Sequence, residues 1–597
     1  MNIEVKRAAE TADVVVMGAG IIGLCNALMY AKQGLKVVVI DNLVHNKKKS
    51  FKVGESLLSH SNVFLRTMGE LDEYARKSHP KLGIWFTYGM EGEETFDDKT
   101  EWALSYQQDW FNHMPDTLQY RATFHEKQLV RPEAEAFQLE RLRTYTNVTI
   151  LDTALVKDVT IYDDDRLHEI EWVCRETKET GLTRSKWVID SAGRRRMLAK
   201  KFNHATGFGD DFQTTALWAQ FDQVPDEAFG DTWKYTYFSG AESRREQHTC
   251  HLWGDGYWIW VIRLKDGRIS IGVTFDQKKA PQGKTPKDQY WDIINRYPLL
   301  TRFLKEENML EFSMYKDVQY TTDTFVSAKR YGIVGDAATN VDAYYSQGIS
   351  MSLMTSFHIS NIVYKDVREN ELDTEYIDLM NRNLKEDWLI IRNIIKEKYT
   401  SAIADNRFFI LSHLLDNTIL SSGLNERWYI TRLLTETKCN PANETQLHKK
   451  LRSKLRRNLY HSAALSMNIV KPKTARKIQG YLQRKMGERA RWRINNGVKT
   501  PKIKLLWPPL PKLFKLPFSG RRELIDITGK ELEIKHAKFF LPKPNDISHF
   551  PFRIIVPILL GQFMWAYTYD AWSTNYKKLM KFLRLQGNVQ QSNTLNK

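Results

Sequence analysis

The sequence predicts an α/β fold over roughly its first 400 residues, and three observations predict it. A glycine-rich turn, GAGIIG, sits between the strand-like DVVVM and the helix-like IIGLCNALMYAKQG. Short apolar runs such as KVVVID, KWVIDSAG and YGIVGDAA recur between amphipathic stretches from Asp13 to about Tyr345, the alternation expected of a mostly parallel sheet. The basic charge of the chain lies elsewhere. Residues 441–540 hold 25 Lys and Arg against 6 Asp and Glu, a local excess of 19, larger than the net +17 of the whole chain. The α/β part is therefore close to neutral.

In the turn, Gly18 permits the sharp reversal, Gly20 lets backbone approach a pyrophosphate, and Gly23 lets the helix sit close to the sheet with its N terminus facing the phosphates. The next strand, LKVVVID, ends in Asp41, placed to accept hydrogen bonds from an adenosine ribose. Two later segments decide which dinucleotide is expected. KWVIDSAGRR reads as a strand ending in a small-residue turn. YGIVGDAATNVDAYYSQGISMSL resembles the second FAD motif of the flavin hydroxylases, which implies Asp336 at the ribityl chain and a helix beginning near Gln347 whose first N–H groups suit negative charge. FAD is the cofactor this pair of motifs implies.

Taken in order, these segments resemble the flavin-dependent halogenases, within the single-Rossmann flavin monooxygenases, over about residues 10–400. KVGESLL (Lys52–Leu58) is similar to the family's VGES loop and implies that Glu55 and Ser56 lie beside the isoalloxazine. HPKLGIWFTYG (His79–Gly89) places the family's essential lysine at Lys81. LVRPEAEAFQLERL implies a flavin contact from Arg131. SQGI (Ser346–Ile349) resembles the halide turn, with backbone N–H groups of Gln347 and Gly348 for chloride or bromide and Ile349 against the flavin. The resemblance implies an FAD-binding Rossmann-like, para-hydroxybenzoate hydroxylase-like fold in residues 1–400. A mixed-sheet substrate domain falls at about 80–130 and 205–325, followed by a mostly helical extension, 401–597.

It also implies a reaction. Reduced FAD from a separate flavin reductase, O2 and halide yield hypohalous acid, and Lys81 holds that acid or is halogenated by it, presenting an electrophile to an electron-rich aromatic. The departures bear on the substrate. YWIWVIR keeps Trp258, Trp260 and Ile262 but carries Tyr257 and Arg263 where halogenases usually have Gly and Pro. Asp342-Ala343 stands for Asp-Pro, and Tyr345 takes the place of the glutamate of tryptophan halogenases. A phenolic or similar substrate, lipophilic or carrier-bound, in secondary metabolism is the expectation. Trp258 and Trp260 alternate on one strand and so share a face, as tunnel wall, as core, or as both. The aromatic stretch Trp102–Phe124 is a further candidate for the pocket.

A chain of 597 residues with 42% hydrophobic content can bury a large core. Four distant cysteines, Cys25, Cys174, Cys250 and Cys439, argue against a disulfide scaffold or a metal site. The N-terminal segment is charged, so a cytoplasmic protein is expected. The segment 552–572 is apolar and aromatic but short for a span. With the basic region before it, it suits peripheral contact with an anionic membrane, a lid, or a core helix, and no nucleic-acid module is recognisable. An aromatic hydroxylase, monooxygenase or reductase of the same fold is the alternative enzyme, and a membrane-associated flavoprotein acting as a binding partner is the alternative from another class.

Overall fold

The computed structural model describes residues 7–43, 52–105, 126–236, 242–422, 430, 433–434, 444–458, 471–507 and 550–595. Most of the Trp102–Phe124 stretch, the proline-rich segment beyond 507, and Cys439 lie outside the described residues. Two eight-stranded sheets organise the rest.

The first sheet is mostly parallel. Its central strand, Arg7–Met17, pairs in parallel with Val37–Ile40 on one side and Thr180–Asp190 on the other. Val148–Leu151 and Tyr331–Ile333 extend it outward. Val14, Val15, Val16, Val37, Val38 and Val39 are completely buried, as strands covered on both faces must be. The helix Ile21–Lys32 follows the glycine turn directly and packs its Leu24, Ala27 and Leu28 on the sheet. Helix Gln347–Tyr364 lies beside it: Asn26 Nδ2 donates to Ser356 Oγ at 2.8 Å.

The second sheet draws on the stretches for which a substrate domain is expected, in the order Met309–Tyr315, Thr214–Phe221, Ile269–Asp276, Tyr257–Arg263, Thr249–Gly254, Gly83–Tyr88, Thr100–Ser105. Strand alternation divides its side chains between two cores. Trp258, Trp260 and Ile262 join the core shared with the nucleotide-binding sheet, while Tyr257, Ile259 and Val261 join a second core under helix Pro286–Ile294. An eighth strand, Lys504–Trp507, comes from the basic region and pairs in parallel with Thr100–Ser105, a position that a proline-rich context did not suggest.

Helices Thr374–Lys396, Asn406–Ser422, Pro472–Asn495 and Phe550–Leu595 complete the chain. Residues from all four share the main core with residues of the nucleotide-binding sheet. The buried Arg493 ties three segments of this region together. It donates to Asp405 Oδ1 at 2.6 Å and Oδ2 at 2.8 Å, and to Asp570 Oδ1 at 2.7 Å. Among the described residues no helix is long and apolar enough to cross a membrane.

Candidate flavin cleft and halide turn

A groove passes over the glycine turn and opens into a cleft of about 310 Å³. At one end Gly18, Asp41 and Arg195 line an adjoining cavity that shares Gly20, Ser191 and Gly193 with the cleft. At the other end stand Glu55, Ser56, Arg131, Asp336, Gly348, Ile349, Trp258 and Trp260. Residues from separate parts of the sequence are thus brought to two adjoining cavities beside the glycine turn, where parallel α/β sheets take dinucleotides.

The three turn glycines do different work. Gly18 has φ +100°, and a Cβ there would stand 2.6 Å from Ser191 O. A Cβ on Gly23 would stand 1.9 Å from Gly18 O. Both positions are closed by backbone. At Gly20 the nearest atom to such a Cβ is Glu135 Oε1 at 4.0 Å, so this position opens onto the groove and can cradle a bulky anion. Asp41 accepts from the Ala19 amide at 2.6 Å, which fixes the carboxylate beside the turn.

Sequence reasoning missed Glu135. It lies at the N terminus of the turn helix, accepts from the Ile21 amide at 3.2 Å, and is held by Arg131 Nη2 at 2.8 Å and by Lys52. A helix N terminus attracts negative charge, and Glu135 supplies it. Arg131 also donates to the Val53 carbonyl at 2.9 Å, so its guanidinium pins the VGES loop against the cleft.

Glu55 is buried among uncharged donors: Ser270 Oγ gives a hydrogen bond at 3.0 Å and Gln220 Nε2 gives another. Burial pushes its carboxyl up to about 7. Ser56 Oγ lies 2.6 Å from Thr249 Oγ1. Asp342, the residue of the Asp-Ala departure, is also buried and pushed up to about 7; Tyr399 donates to it at 2.7 Å.

These two carboxylates make stability pH-dependent. Each has a higher pKa folded than unfolded, so between about pH 4.5 and 7 the folded state retains a proton that the unfolded chain releases. Stability falls as pH rises through that window, by up to ~1.4 kcal/mol per pH unit per group. Glu55→Gln is expected to flatten the fall in the flavin-free protein, read as thermal unfolding at pH 5, 6 and 7. An unchanged slope would show that Glu55 is ionised in the fold.

Lys81 is fully buried, at the end of a two-strand clasp. His79–Lys81 pairs with Glu126–Gln128, which is stitched to the VGES loop through the Leu57 amide and Lys127 carbonyl at 2.9 Å. Its Nζ lies 2.7 Å from Glu126 Oε2 and 3.3 Å from the Leu57 carbonyl, one residue from the cleft-lining Ser56. The partner, Glu126, is also 1% exposed. It was not identified from sequence, being 45 residues away with no motif around it.

Gln347 and Gly348 open helix Gln347–Tyr364 after Ser346, whose backbone is left-handed at φ +53°. The first N–H groups of the helix have no acceptor within it. Gly348 and Ile349 line the cleft, whereas the Gln347 side chain is buried, and neither amide atom has a hydrogen-bond partner among the described residues. Beneath the turn, Tyr345 donates to Asp416 at 2.6 Å, and Lys398 reaches the same carboxylate. This buried ion pair takes up the hydroxyl of the residue that replaces glutamate.

Trp258 and Trp260 share the cleft face with ring centroids 5.6 Å apart. Trp258 Nε1 donates to Tyr399 at 2.7 Å, and Trp258 is both a core residue and a lining residue of the cleft. Between them and Phe86 sits His251, another residue the motifs did not reveal. It lines the cleft, is 1% exposed, and has no partner on either ring nitrogen among the described residues. Burial, with the Lys81 charge adding to it, pushes its pKa down to about 3, so it is a neutral imidazole with one donor and one acceptor to offer.

The chain is similar in sequence to flavin-dependent halogenases and has the fold of FAD-binding ones. It is 25% identical over 377 residues to the flavin-dependent halogenase chlA of Dictyostelium discoideum, covering 57% of this chain and 58% of that one. It is 23% identical over 392 residues to the flavin-dependent halogenase ascD of Acremonium egyptiacum, covering 61% and 64%. The chain thus spans about six tenths of the length of these curated relatives. A mutant of halogenase PltM in complex with FAD superposes with a TM-score of 0.64 at 17% identity, over 89% of this chain and 96% of that one. PltM has also been solved with phloroglucinol and FAD, where the TM-score is 0.62. No family model matches the chain.

Proposed function

We propose that this protein is an FAD-dependent halogenase of an electron-rich, phenolic aromatic, working in the cytoplasm in secondary metabolism with reduced FAD from a separate reductase. The observation that carries the reading is the meeting, around one cleft, of an open Gly20, a helix N terminus at Gln347–Gly348 and the VGES loop, with Lys81 buried against the back of that loop. PltM, which shares the fold, has been solved with phloroglucinol, a phenol. That supports a phenolic rather than an indolic substrate, as does Tyr345 where tryptophan halogenases have glutamate.

The residues fit the cofactor. Gly20 and the N terminus of helix Ile21–Lys32 would hold the pyrophosphate, Asp41 the ribose, Asp336 the ribityl chain, and Ile349, Glu55 and Ser56 the ring system. Reduced FAD, when bound, would give two electrons to O2, which takes two more from the halide, so that hypohalous acid and water result. The N–H groups of Gln347 and Gly348 hold halide as an anion at the cleft wall. Lys81, fixed by Glu126, presents its amine to the hypohalous acid and through it to one carbon of the aromatic. His251 can give and accept a hydrogen bond at the cleft wall, which suits a hydroxyl in transit or on the substrate. Trp258 and Trp260 exclude water from the route. A lipophilic or carrier-bound substrate and peripheral membrane contact belong to the same reading.

The test is mass spectrometry of products from purified protein, FAD, a flavin reductase, NADH and a panel of phenols, indoles and pyrroles, with and without bromide. A halide-dependent mass gain confined to phenols is the expected result. Insertion of oxygen that is indifferent to halide would make the protein a hydroxylase on the same scaffold.

A further inference from the structure

Asp342, Tyr344 and Tyr345 lead into helix Gln347–Tyr364, and each is held by a residue from the helical region beyond the two sheets. Asp342 accepts from Tyr399 at 2.7 Å. Tyr344 meets His413 of helix Asn406–Ser422. Burial holds His413 neutral, and its Nδ1 lies 2.6 Å from the Phe409 carbonyl, so Nδ1 carries the proton and Nε2 accepts from the Tyr344 hydroxyl. The same hydroxyl accepts from Trp253 Nε1 at 2.8 Å. Tyr345 donates to Asp416 Oδ2 at 2.6 Å, and that carboxylate also takes Lys398 and, at 3.2 Å, Gln483 Nε2 of helix Pro472–Asn495. Lys398 and Asp416 are fully buried, so the lysine offsets a charge that burial would otherwise make costly.

Ser346 follows these residues and is the pivot of the turn. Its backbone is left-handed at φ +53°, its side chain makes no capping hydrogen bond, and its amide turns back to the Ala343 carbonyl at 3.0 Å. A residue other than glycine keeps that conformation only where its surroundings impose it. Here they include the anchored rings on its N-terminal side. Where Ser346 goes, the amides of Gln347 and Gly348 follow, because these residues open the helix directly after it. Tyr345 is the anchor next to the pivot, and its acceptor belongs to an ion pair, so this hydrogen bond is of the charge-assisted kind.

We infer that Asp416, acting through the Tyr345 hydroxyl, is a positioning residue of the halide turn: it sets the conformation of Ser346 and with it the halide affinity of the Gln347 and Gly348 N–H groups. The inference rests on the reading of those two groups as halide donors. It adds a determinant of halide affinity that lies 71 residues beyond Tyr345 and touches no halide itself.

The experiment titrates the full-length, FAD-loaded protein with sodium bromide, sulfate keeping the ionic strength constant, and reads the visible absorption of the bound flavin. Product yield against bromide is read on the same samples. The wild type is expected to bind bromide saturably. Tyr345→Phe removes the hydroxyl and leaves the ion pair, and it is expected to weaken bromide binding about tenfold at unchanged FAD content. Two double variants separate anchoring from stability. Lys398→Met with Asp416→Asn keeps an oxygen for the Tyr345 hydroxyl and is expected to stay within about threefold of the wild type, whereas Lys398→Met with Asp416→Leu removes that oxygen and is expected to match Tyr345→Phe. Added bromide should restore product in the weakened variants, a shift in bromide requirement that loss of fold alone does not give. Bromide binding unmoved in Tyr345→Phe overturns the inference, as does equal weakening in the two double variants; halogenation still stands where wild-type product depends on halide. A wild type that binds no bromide also overturns it, and if its product is indifferent to halide as well, the reading beneath it falls too.

Discussion

Lys81→Met is expected to remove halogenated product by at least about a hundredfold per flavin oxidised, while reduced FAD continues to be consumed. The amine lies behind the VGES loop and not in the groove that would take the dinucleotide, so flavin binding and oxidation have no need of it. The same substitution has a second consequence. It leaves Glu126, which is as deeply buried as the lysine, as a carboxylate without its partner at 2.7 Å, and breaking a buried pair from one side costs about 3–5 kcal/mol. Loss of activity in the single variant could therefore be loss of fold. Lys81→Met with Glu126→Gln separates the two, because it removes both charges and restores stability while leaving no amine. Chemical unfolding and product yield measured on all four members of the cycle give the answer. A double variant that is both stable and active would make the lysine a structural ion-pair partner and nothing more.

How far the sequence alone reaches can be seen from the same residues. Motifs made of neighbours in the chain were legible as motifs: residues of the glycine turn, the VGES loop and the SQGI segment line one cleft, and Asp41 lines the cavity that adjoins it. The shared face of Trp258 and Trp260 followed from strand geometry. Partners that meet only through folding were not legible. Glu126 reaches Lys81 through pairing of two three-residue strands, Glu135 reaches the turn helix from another helix, and His251 lines the cleft only because its strand runs beside Gly83–Tyr88. None of these carries a local pattern. The strand Lys504–Trp507 was hidden by the prolines that follow it. The C-terminal helix shows a third kind of limit. Its periodicity could reveal an amphipathic segment, but which face turns inward is set by Arg489 and Arg493, some 80 residues earlier.

Gly20→Ala and Gly23→Ala are expected to fail in different ways, and the contrast tests the flavin assignment at its foundation. At Gly23 an added Cβ meets Gly18 O at 1.9 Å and Ser191 Oγ at 2.6 Å, so the helix must lift off the sheet. Overpacking of this kind costs about 1–3 kcal/mol, and flavin-free protein should unfold at a lower temperature. At Gly20 the added methyl meets nothing closer than 4.0 Å, and the backbone is extended with φ −76°. The flavin-free fold should therefore be undisturbed, with a melting temperature close to that of the unsubstituted protein. What the methyl occupies is the space through which backbone would approach a pyrophosphate, so FAD affinity should fall tenfold or more, about 1.4 kcal/mol or above. Flavin-fluorescence titration beside thermal unfolding reads both quantities on the same samples. Gly20→Ala protein that melts normally and binds FAD as tightly as before would mean that the open face of the turn does not hold the dinucleotide. The cofactor would then have to be placed elsewhere in the cleft, because the closed faces of Gly18 and Gly23 leave no second route to that helix N terminus.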